Sequence, residues 1–149
     1  MPTKTRLFII LAVALLVSAA TTPAYSRDDE LTLPIKEALE TSTAKEKLTN
    51  KVPLYFAGQG HPAIKRTVGE WATSKRTRGI MRPREESCQV AFLSALIVLQ
   101  TRALNEKADA VVNIASIVDK NVSKSATHYK CTAGKVMVNV TLKGTVVKY

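Results

Sequence analysis

The chain has 149 residues, of which 46% are apolar and 5% aromatic, and its 22 Lys and Arg against 12 Asp and Glu give a formal charge of +10. This length fits one domain rather than two, and the composition excludes a disordered, a collagen-like or a multi-span membrane protein. Only two cysteines and two histidines are present. They leave few ways to build a metal cluster or a Cys- or His-based active site.

The first 26 residues have the pattern of a secretory signal peptide. Two basic residues precede an apolar run over residues 7–20, and Ala24 and Ser26 fit the small-x-small cleavage rule. A helix over that run would rise only about 21 Å, which is short of a bilayer core of about 30 Å. We therefore expect cleavage after residue 26 to leave one periplasmic or secreted domain, residues 27–149, with no transmembrane span and no cysteine placed for lipid attachment.

The mature chain begins with short elements. Residues 34–48 predict one broken helix or two short ones, with a capping box formed by Thr43 and Glu46. Residues 51–56 are typical of a short strand that ends in a turn rich in glycine. Residues 63–84 are highly basic and predict a twisted hairpin or an ordered loop.

The clearest element is a helix over residues 84–107, which follows Pro83. At 100° per residue it carries two nearly opposite apolar faces. The first face holds Cys88, Phe92, Ala95, Leu96, Leu99 and Ala103, and the second holds Val90, Leu93, Ile97 and Leu104. We therefore expect this helix to be buried between two layers, the second being the N-terminal helical segment or another copy of the chain in a homo-oligomer.

Three β segments follow the long helix. Residues 110–118 and 122–131 are separated by a turn, and residues 135–148 alternate between valine or leucine and polar side chains. This order indicates an α+β fold, with a mostly antiparallel sheet packed on one long central helix and a short N-terminal helical segment.

The two cysteines, Cys88 and Cys131, are read as one disulfide, because export to an oxidising compartment favours disulfides over free thiols. The bridge would pin the helix to the sheet and contribute on the order of 4 kcal/mol in the chain-entropy model. A zinc set with His61 and His128 is not favoured, since no close Cys-x2-Cys or His-x3-His pair supplies the usual anchor. His128 and Cys131 would also leave opposite faces of a strand. We predict no metal and no cofactor.

The basic segment is the most unusual feature of the composition. It contains Lys65, Arg66, Lys75, Arg76, Arg78, Arg82 and Arg84, with Trp71 as its only aromatic ring and Glu70 as the only acid before Glu85. Such charge would attract the phosphates of nucleic acid, lipopolysaccharide or anionic phospholipid. The alternative is a solvated basic face, because single-strand binders usually offer several stacking rings.

No catalytic motif is visible. The chain contains neither G-x-S-x-G nor G-x-x-x-x-G-K-[ST]. The adjacent Glu85 and Glu86 would point about 100° apart on a helix, and their charges suit its positive end. We therefore expect the protein not to be an enzyme.

Several segments resemble a family of small exported bacterial proteins that carry the label excinuclease-ATPase-subunit-like. The resemblance lies in Tyr55-Phe56, in the helix SCQVAFLSALIVLQ, in ADAVVNI at residues 108–114 and in SKSATHYKC at residues 123–131. The helix and ADAVVNI are more distantly similar to the YbjQ-type proteins and to the outer-membrane lipoprotein that senses stress for the Rcs phosphorelay. The resemblance implies an envelope module with no established chemistry and offers no catalytic residue.

Two functions follow as hypotheses. The first is a non-enzymatic periplasmic or secreted binding module that recognises an envelope protein or an anionic envelope component and is linked to envelope homeostasis or stress sensing. The alternative is a secreted basic protein that binds polyanions, either nucleic acid or lipopolysaccharide, through the basic segment and Trp71.

Overall fold

A computed structural model describes residues 28–149, and the predicted signal peptide lies outside them. The elements in chain order are β1 (Asp29–Pro34), α1 (Ile35–Leu39), α2 (Ser42–Lys47), β2 (Leu54–Phe56), β3 (Arg66–Arg78), α3 (Arg84–Asn105), β4 (Ala110–Val118), β5 (Asn121–Ser123), β6 (His128–Ala133) and β7 (Met137–Lys148). A seven-stranded sheet carries α3 on one face. The α+β class with one long helix is therefore confirmed.

Strand β7 is the centre of the sheet. Strand β3 pairs along one of its sides, while β4 and β6 share the other side, β4 at residues 142–147 and β6 at residues 138–139 of β7. Strand β1 extends the sheet beyond β6, and β2 extends it beyond β4. The pairing of β2 with β4 is parallel, so the sheet is mixed and the expectation of a mostly antiparallel sheet is corrected. The long crossover through β3 and α3 allows this parallel pairing.

Strand β3 corrects the prediction of a hairpin or loop over residues 63–84. It is one continuous strand of 13 residues that pairs antiparallel with β7 from Arg66 to Arg78. A register shift between Thr67 and Gly69 interrupts the ladder. Glycine fits there because the Trp71 ring lies against it, and a Cβ at that position would be 2.7 Å from the Trp71 Cη2.

The first apolar face of α3 forms the core together with the sheet. All six residues predicted on this face have at most 1% of their surface exposed. Phe92 stacks on Tyr129 of β6 with ring centroids 3.9 Å apart. Beside this pair, Cys88 and Cys131 form the predicted disulfide, with a Cα–Cα distance of 6.0 Å. The bond is compatible with an oxidising periplasmic or secreted location.

Tyr129 is the largest fully buried side chain in the described range. Its hydroxyl is buried and has no hydrogen-bond partner among residues 28–149. Burial raises the pKa of Tyr129 above its usual value, and the nearby Glu37 carboxylate adds to the shift.

The second apolar face of α3 is only partly covered, which corrects the expectation of two complete layers. Leu93 is buried, but Val90 and Leu104 are 39% and 42% exposed. Within residues 28–149, α1 packs against α3 without covering it fully. Helix α3 is long and apolar enough to span a membrane by length and composition alone. Its buried first face and its disulfide make it the core helix of this domain.

Two local boundaries also differ from the sequence expectations. Helix α2 is capped by Thr41, whose side chain accepts a hydrogen bond from the Ala44 N–H at 3.2 Å, and not by Thr43. The predicted strand over residues 122–131 is divided into β5 and β6 by a bend at residues 124–127.

Candidate binding surface

The eight residues predicted to bind polyanions do not form one patch. Lys65 and Arg66 lie where β3 begins, beside Lys148 of β7, and the Lys65 N–H donates to the Lys148 carbonyl. Arg76 and Arg78 lie where β3 ends. A strand rises about 3.3 Å per residue, so these two groups are about 40 Å apart.

Trp71 belongs to neither group of cations. It packs against the core on the helix-covered face, and the Arg102 guanidinium carbon of α3 lies 4.6 Å from its ring centroid. Arg102 also pairs with Glu106 at 3.1 Å. The ring therefore joins β3 to α3 and is not a stacking platform beside the exposed arginines. Lys75 is half-buried on this same side of β3.

The densest group of cations forms what we call the arginine-rich end. It consists of Arg76, Arg78, Arg82, Arg84 and Lys135, all exposed. Arg84 donates to the Asp29 carboxylate at 2.6 Å and is the one member that forms an ion pair with a residue in the described range. Acidic residues also lie nearby, at Asp28 and in the first turn of α3. Arg76, Arg78 and Arg82 are thus left with charges that are not engaged in ion pairs within residues 28–149.

Four exposed apolar side chains lie next to the arginine-rich end. Ile80 and Met81 follow β3, Val136 immediately precedes β7, and Met137 is its first residue. Their exposures are 61%, 93%, 52% and 40%. The Gly79 N–H donates to the Val136 carbonyl at 2.8 Å and brings the two segments together. We call these four residues the apolar tip. A shallow cleft of about 510 Å³ beside them is lined by Asp28, Arg76, Thr132 and Asn139, among others.

The hydrogen bond of Gly79 also fixes which backbone groups of β3 are free. In an antiparallel ladder, residue pairs that exchange hydrogen bonds alternate with pairs that do not. Gly79 and Val136 form a hydrogen-bonded pair, so every second residue of β3 counted back from Gly79 is also bonded to β7, and the residues between them are not. The N–H and C=O groups of Ala72, Ser74 and Arg76 therefore point away from β7. In the described chain β7 is the only strand that pairs with β3. We call this row of unpaired groups the outer edge of β3.

The outer edge of β3 is held in place by polar contacts on the face of the sheet opposite α3. The Ser74 hydroxyl donates to the Asn139 side-chain oxygen at 2.7 Å and accepts from the Thr141 hydroxyl at 2.9 Å. Glu70 pairs with Lys143 at 3.0 Å. These cross-strand contacts fix β3 against β7 on this face, beside the arginine-rich end.

The four residues considered for zinc binding, Cys88, Cys131, His61 and His128, are each engaged in other contacts. The His61 Nδ1 lies 2.9 Å from the Pro62 carbonyl, the His128 Nδ1 lies 2.8 Å from the Thr127 hydroxyl, and both cysteines are in the disulfide. Within residues 28–149, no group of three or more His, Cys, Asp or Glu is placed to hold a metal ion.

Comparison with family models, with curated proteins and with solved structures gives no match for this chain. The resemblance to small exported proteins therefore stays a prediction from the sequence. Sequence reasoning found the four arginines of the candidate surface but missed Lys135 and the outer edge of β3. Its one sequence signal is the threonine-rich composition of the segment, which is typical of strands.

Proposed function

We propose that the mature chain is a non-enzymatic binding module of the periplasm or of the secreted proteins. In this proposal it binds an anionic envelope component or a partner protein through the arginine-rich end and the adjoining outer edge of β3. The observation that carries the proposal is the group Arg76, Arg78 and Arg82, which is exposed and free of ion pairs with residues 28–149. Unpaired cations at one end of a molecule attract anions by a salt-dependent interaction.

A binding role, rather than catalysis, is supported by the chemistry of the reactive side chains. The thiols are consumed by the disulfide, and His61 contacts only the backbone carbonyl of Pro62. His128 contacts the Thr127 hydroxyl, but no carboxylate among residues 28–149 is hydrogen-bonded to its ring to orient it as a base. A nucleophile, a base and a group that orients the base must lie within hydrogen-bond reach of one another. Hydrolytic turnover by the purified mature chain, abolished by one point substitution, would contradict this part of the proposal.

Location in the envelope is supported by the signal-peptide pattern and by the disulfide, which fits an oxidising compartment. The apolar tip adds exposed contact area beside the arginines, which suits a partner with both apolar and anionic groups. A link to stress sensing rests on the distant similarity to the Rcs lipoprotein alone.

Charge substitutions test the proposal. We expect the triple variant Arg76→Ala, Arg78→Ala, Arg82→Ala to bind lipopolysaccharide-containing vesicles about tenfold more weakly than the parent at about 50 mM salt, with a smaller difference at about 200 mM salt. The matched control removes three exposed cations elsewhere, by Lys45→Ala, Lys51→Ala and Lys120→Ala, and should bind almost as the parent does. Equal losses in the two triple variants would show a response to net charge only and would overturn the proposed surface.

A second candidate function is binding of nucleic acid by the same arginines. The exposed guanidinium groups of Arg76, Arg78 and Arg82 suit phosphate, because arginine recognises it through two parallel hydrogen bonds. Duplex DNA titrated under the same two salt conditions separates the candidates. DNA affinity that exceeds vesicle affinity, and is lost in the arginine variant but kept in the lysine control, would favour this second function.

A further inference from the structure

We propose that the outer edge of β3 binds an extended acidic polypeptide segment, which adds to the sheet as an extra strand. This inference rests on the proposed function and names the partner class as a protein segment of opposite charge. In this proposal the main chain of β3 provides the affinity for the segment, and the cations of β3 provide the selectivity for acidic sequences. Lipopolysaccharide and nucleic acid cannot form the main-chain ladder and therefore serve as contrasting ligands.

The first argument is the length of the unpaired edge. At 13 residues β3 is the longest strand of the described chain, and its outward groups at Ala72, Ser74 and Arg76 meet no other strand. These three residues are all exposed. An edge with a row of free N–H and C=O groups is a template for another strand. Extended peptides that add to such edges gain affinity from the main-chain hydrogen bonds.

The second argument is that the edge has defined ends. At one end the register shift between Thr67 and Gly69 breaks the regular alternation. At the other end the Arg78 carbonyl accepts a hydrogen bond from the Ser87 hydroxyl at 3.0 Å, so that group is occupied. Residues 70–77 lie between these ends. This length accommodates a strand of the ordinary size of about five or six residues.

The third argument is charge. Strand β3 carries Arg66, Lys75, Arg76 and Arg78 against a single acid, Glu70, which already pairs with Lys143. Like charges across a strand pair are destabilising, and opposite charges are stabilising. A second copy of β3 would bring the same excess of cations, whereas an acidic strand would neutralise them. Cations on an edge also protect proteins from self-association, so the charges that repel a second copy select an acidic partner.

The fourth argument is that β3 is ordered before any partner arrives. It is paired with β7 continuously from Gly69 to Arg78, and Trp71 with Arg102 and Ser74 with Asn139 fix its two faces. A preformed strand does not have to be ordered when the partner binds, which lowers the entropic cost of association.

The probe is a synthetic peptide of about ten residues in which glutamate alternates with valine, because a strand has a side-chain period of two. The first comparison uses two N-methylated forms of this peptide, one methylated at the odd-numbered amides and the other at the even-numbered amides. The second is poly-glutamate with the same number of charges, since it offers the charge without apolar alternation. We expect the alternating peptide to bind the mature chain at least about tenfold more tightly than either comparison peptide, because each lost hydrogen bond or mismatched strand weakens the ladder. Fluorescence anisotropy of a labelled peptide measures this difference.

The matching protein variant is Ala72→Pro. Proline removes the outward N–H of residue 72, while the hydrogen bonds to β7 are made by its neighbours Trp71 and Thr73. We expect a loss of peptide affinity of about tenfold with the circular dichroism spectrum retained. Ala72→Thr is the control, since it keeps the N–H and favours strand structure. If Ala72→Pro does not fold, the N-methylated peptide still tests the ladder without any change in the protein.

The outcomes separate this inference from the proposed function. N-methylated or poly-glutamate peptides that bind as tightly as the alternating peptide would overturn strand addition and leave an electrostatic surface. If the substitutions at Arg76, Arg78 and Arg82 weaken the binding of none of the anionic ligands, both the inference and the proposed function would be overturned. A dimer in light scattering that Ala72→Pro dissociates would overturn the inference by making a second copy the occupant of the edge.

Discussion

The helix-covered face of the sheet and the outer edge of β3 differ in how their polar and apolar groups are used. On the helix-covered face, apolar side chains of α3 and the strands bury one another, and the Cys88–Cys131 bond joins the two layers. Along the outer edge, backbone groups at Ala72, Ser74 and Arg76 pair with no other strand of residues 28–149, and the neighbouring side chains are polar or cationic. Most of the buried apolar side chains thus belong to the cluster that α3 forms with the sheet, whereas the outer edge of β3 keeps backbone groups that pair with no strand in the described range.

The largest effect on stability is expected from removing the disulfide of the helix-covered face. Reduction of Cys88–Cys131, whose sequence separation is 43, should lower the free energy of unfolding by about 4 kcal/mol, because the bond restricts the unfolded chain. Urea unfolding of the oxidised and the reduced protein measures the effect. The double variant Cys88→Ala, Cys131→Ala is the control, since its midpoint should not respond to reductant. Equal midpoints for oxidised and reduced parent protein would show that the helix-covered face does not depend on this bond.

A smaller effect is expected from crowding the contact between β7 and β4 on the helix-covered face. A Cβ at Gly144 would lie 2.7 Å from the Val111 Cγ1 and 3.3 Å from the Ile114 Cγ1. Gly144→Ala should therefore destabilise the domain by about 1–3 kcal/mol through overpacking. Gly60→Ala is the matched control, because no atom of residues 28–149 beyond its chain neighbours lies within 4 Å of the added Cβ. A Gly144→Ala protein that unfolds at the same urea concentration as the control would contradict the tight packing of this face.

The smallest effect is expected from the buried hydroxyl of Tyr129. Tyr129→Phe should raise the free energy of unfolding by about 1 kcal/mol, because it removes a buried hydroxyl that has no hydrogen-bond partner among residues 28–149. Urea unfolding below pH 10.0, the usual pKa of tyrosine, measures this gain. A less stable variant would indicate that the hydroxyl has a favourable partner.

The same variant has a pH signature. Since burial raises the pKa of Tyr129, the native state keeps the phenol proton at a pH where the unfolded state releases it. The parent protein should therefore lose stability as the pH rises above 10.0, and Tyr129→Phe should lose less. Parallel stability curves for the two proteins in this range would contradict the raised pKa.

The elements that the sequence predicts well are those that bury an apolar face. The period of α3 and the alternation of β7 each place their core residues on one side, and the structure has both elements within two residues of their predicted ends. The disulfide was predicted from the presence of two cysteines and from the signal-peptide pattern of the first 26 residues. Strand β3 was missed because Thr73, Lys75 and Thr77 alternate with other polar side chains and show no apolar period. Its structure depends on pairing with β7, which lies far along the chain.

The candidate surface was predictable only in part, for a related reason. The sequence shows the charge of Arg76, Arg78 and Arg82, but it does not show that Lys65 and Arg66 lie at the opposite end of the same strand. It also cannot show which backbone groups are left free, because that depends on the register of β3 with β7. The parallel pairing of β2 was missed since a strand of three residues has too few positions to reveal its direction.

The disulfide encloses more of the chain than the two elements it joins. The segment between Cys88 and Cys131 includes the exposed turn at Asp119 and Lys120 and the exposed Lys124. A protease that cleaves the main chain after either lysine would leave both fragments attached through the disulfide. Such nicked molecules would keep their full mass on a non-reducing gel and separate only after a thiol is added, so the protein can lose backbone continuity at this turn without losing either half.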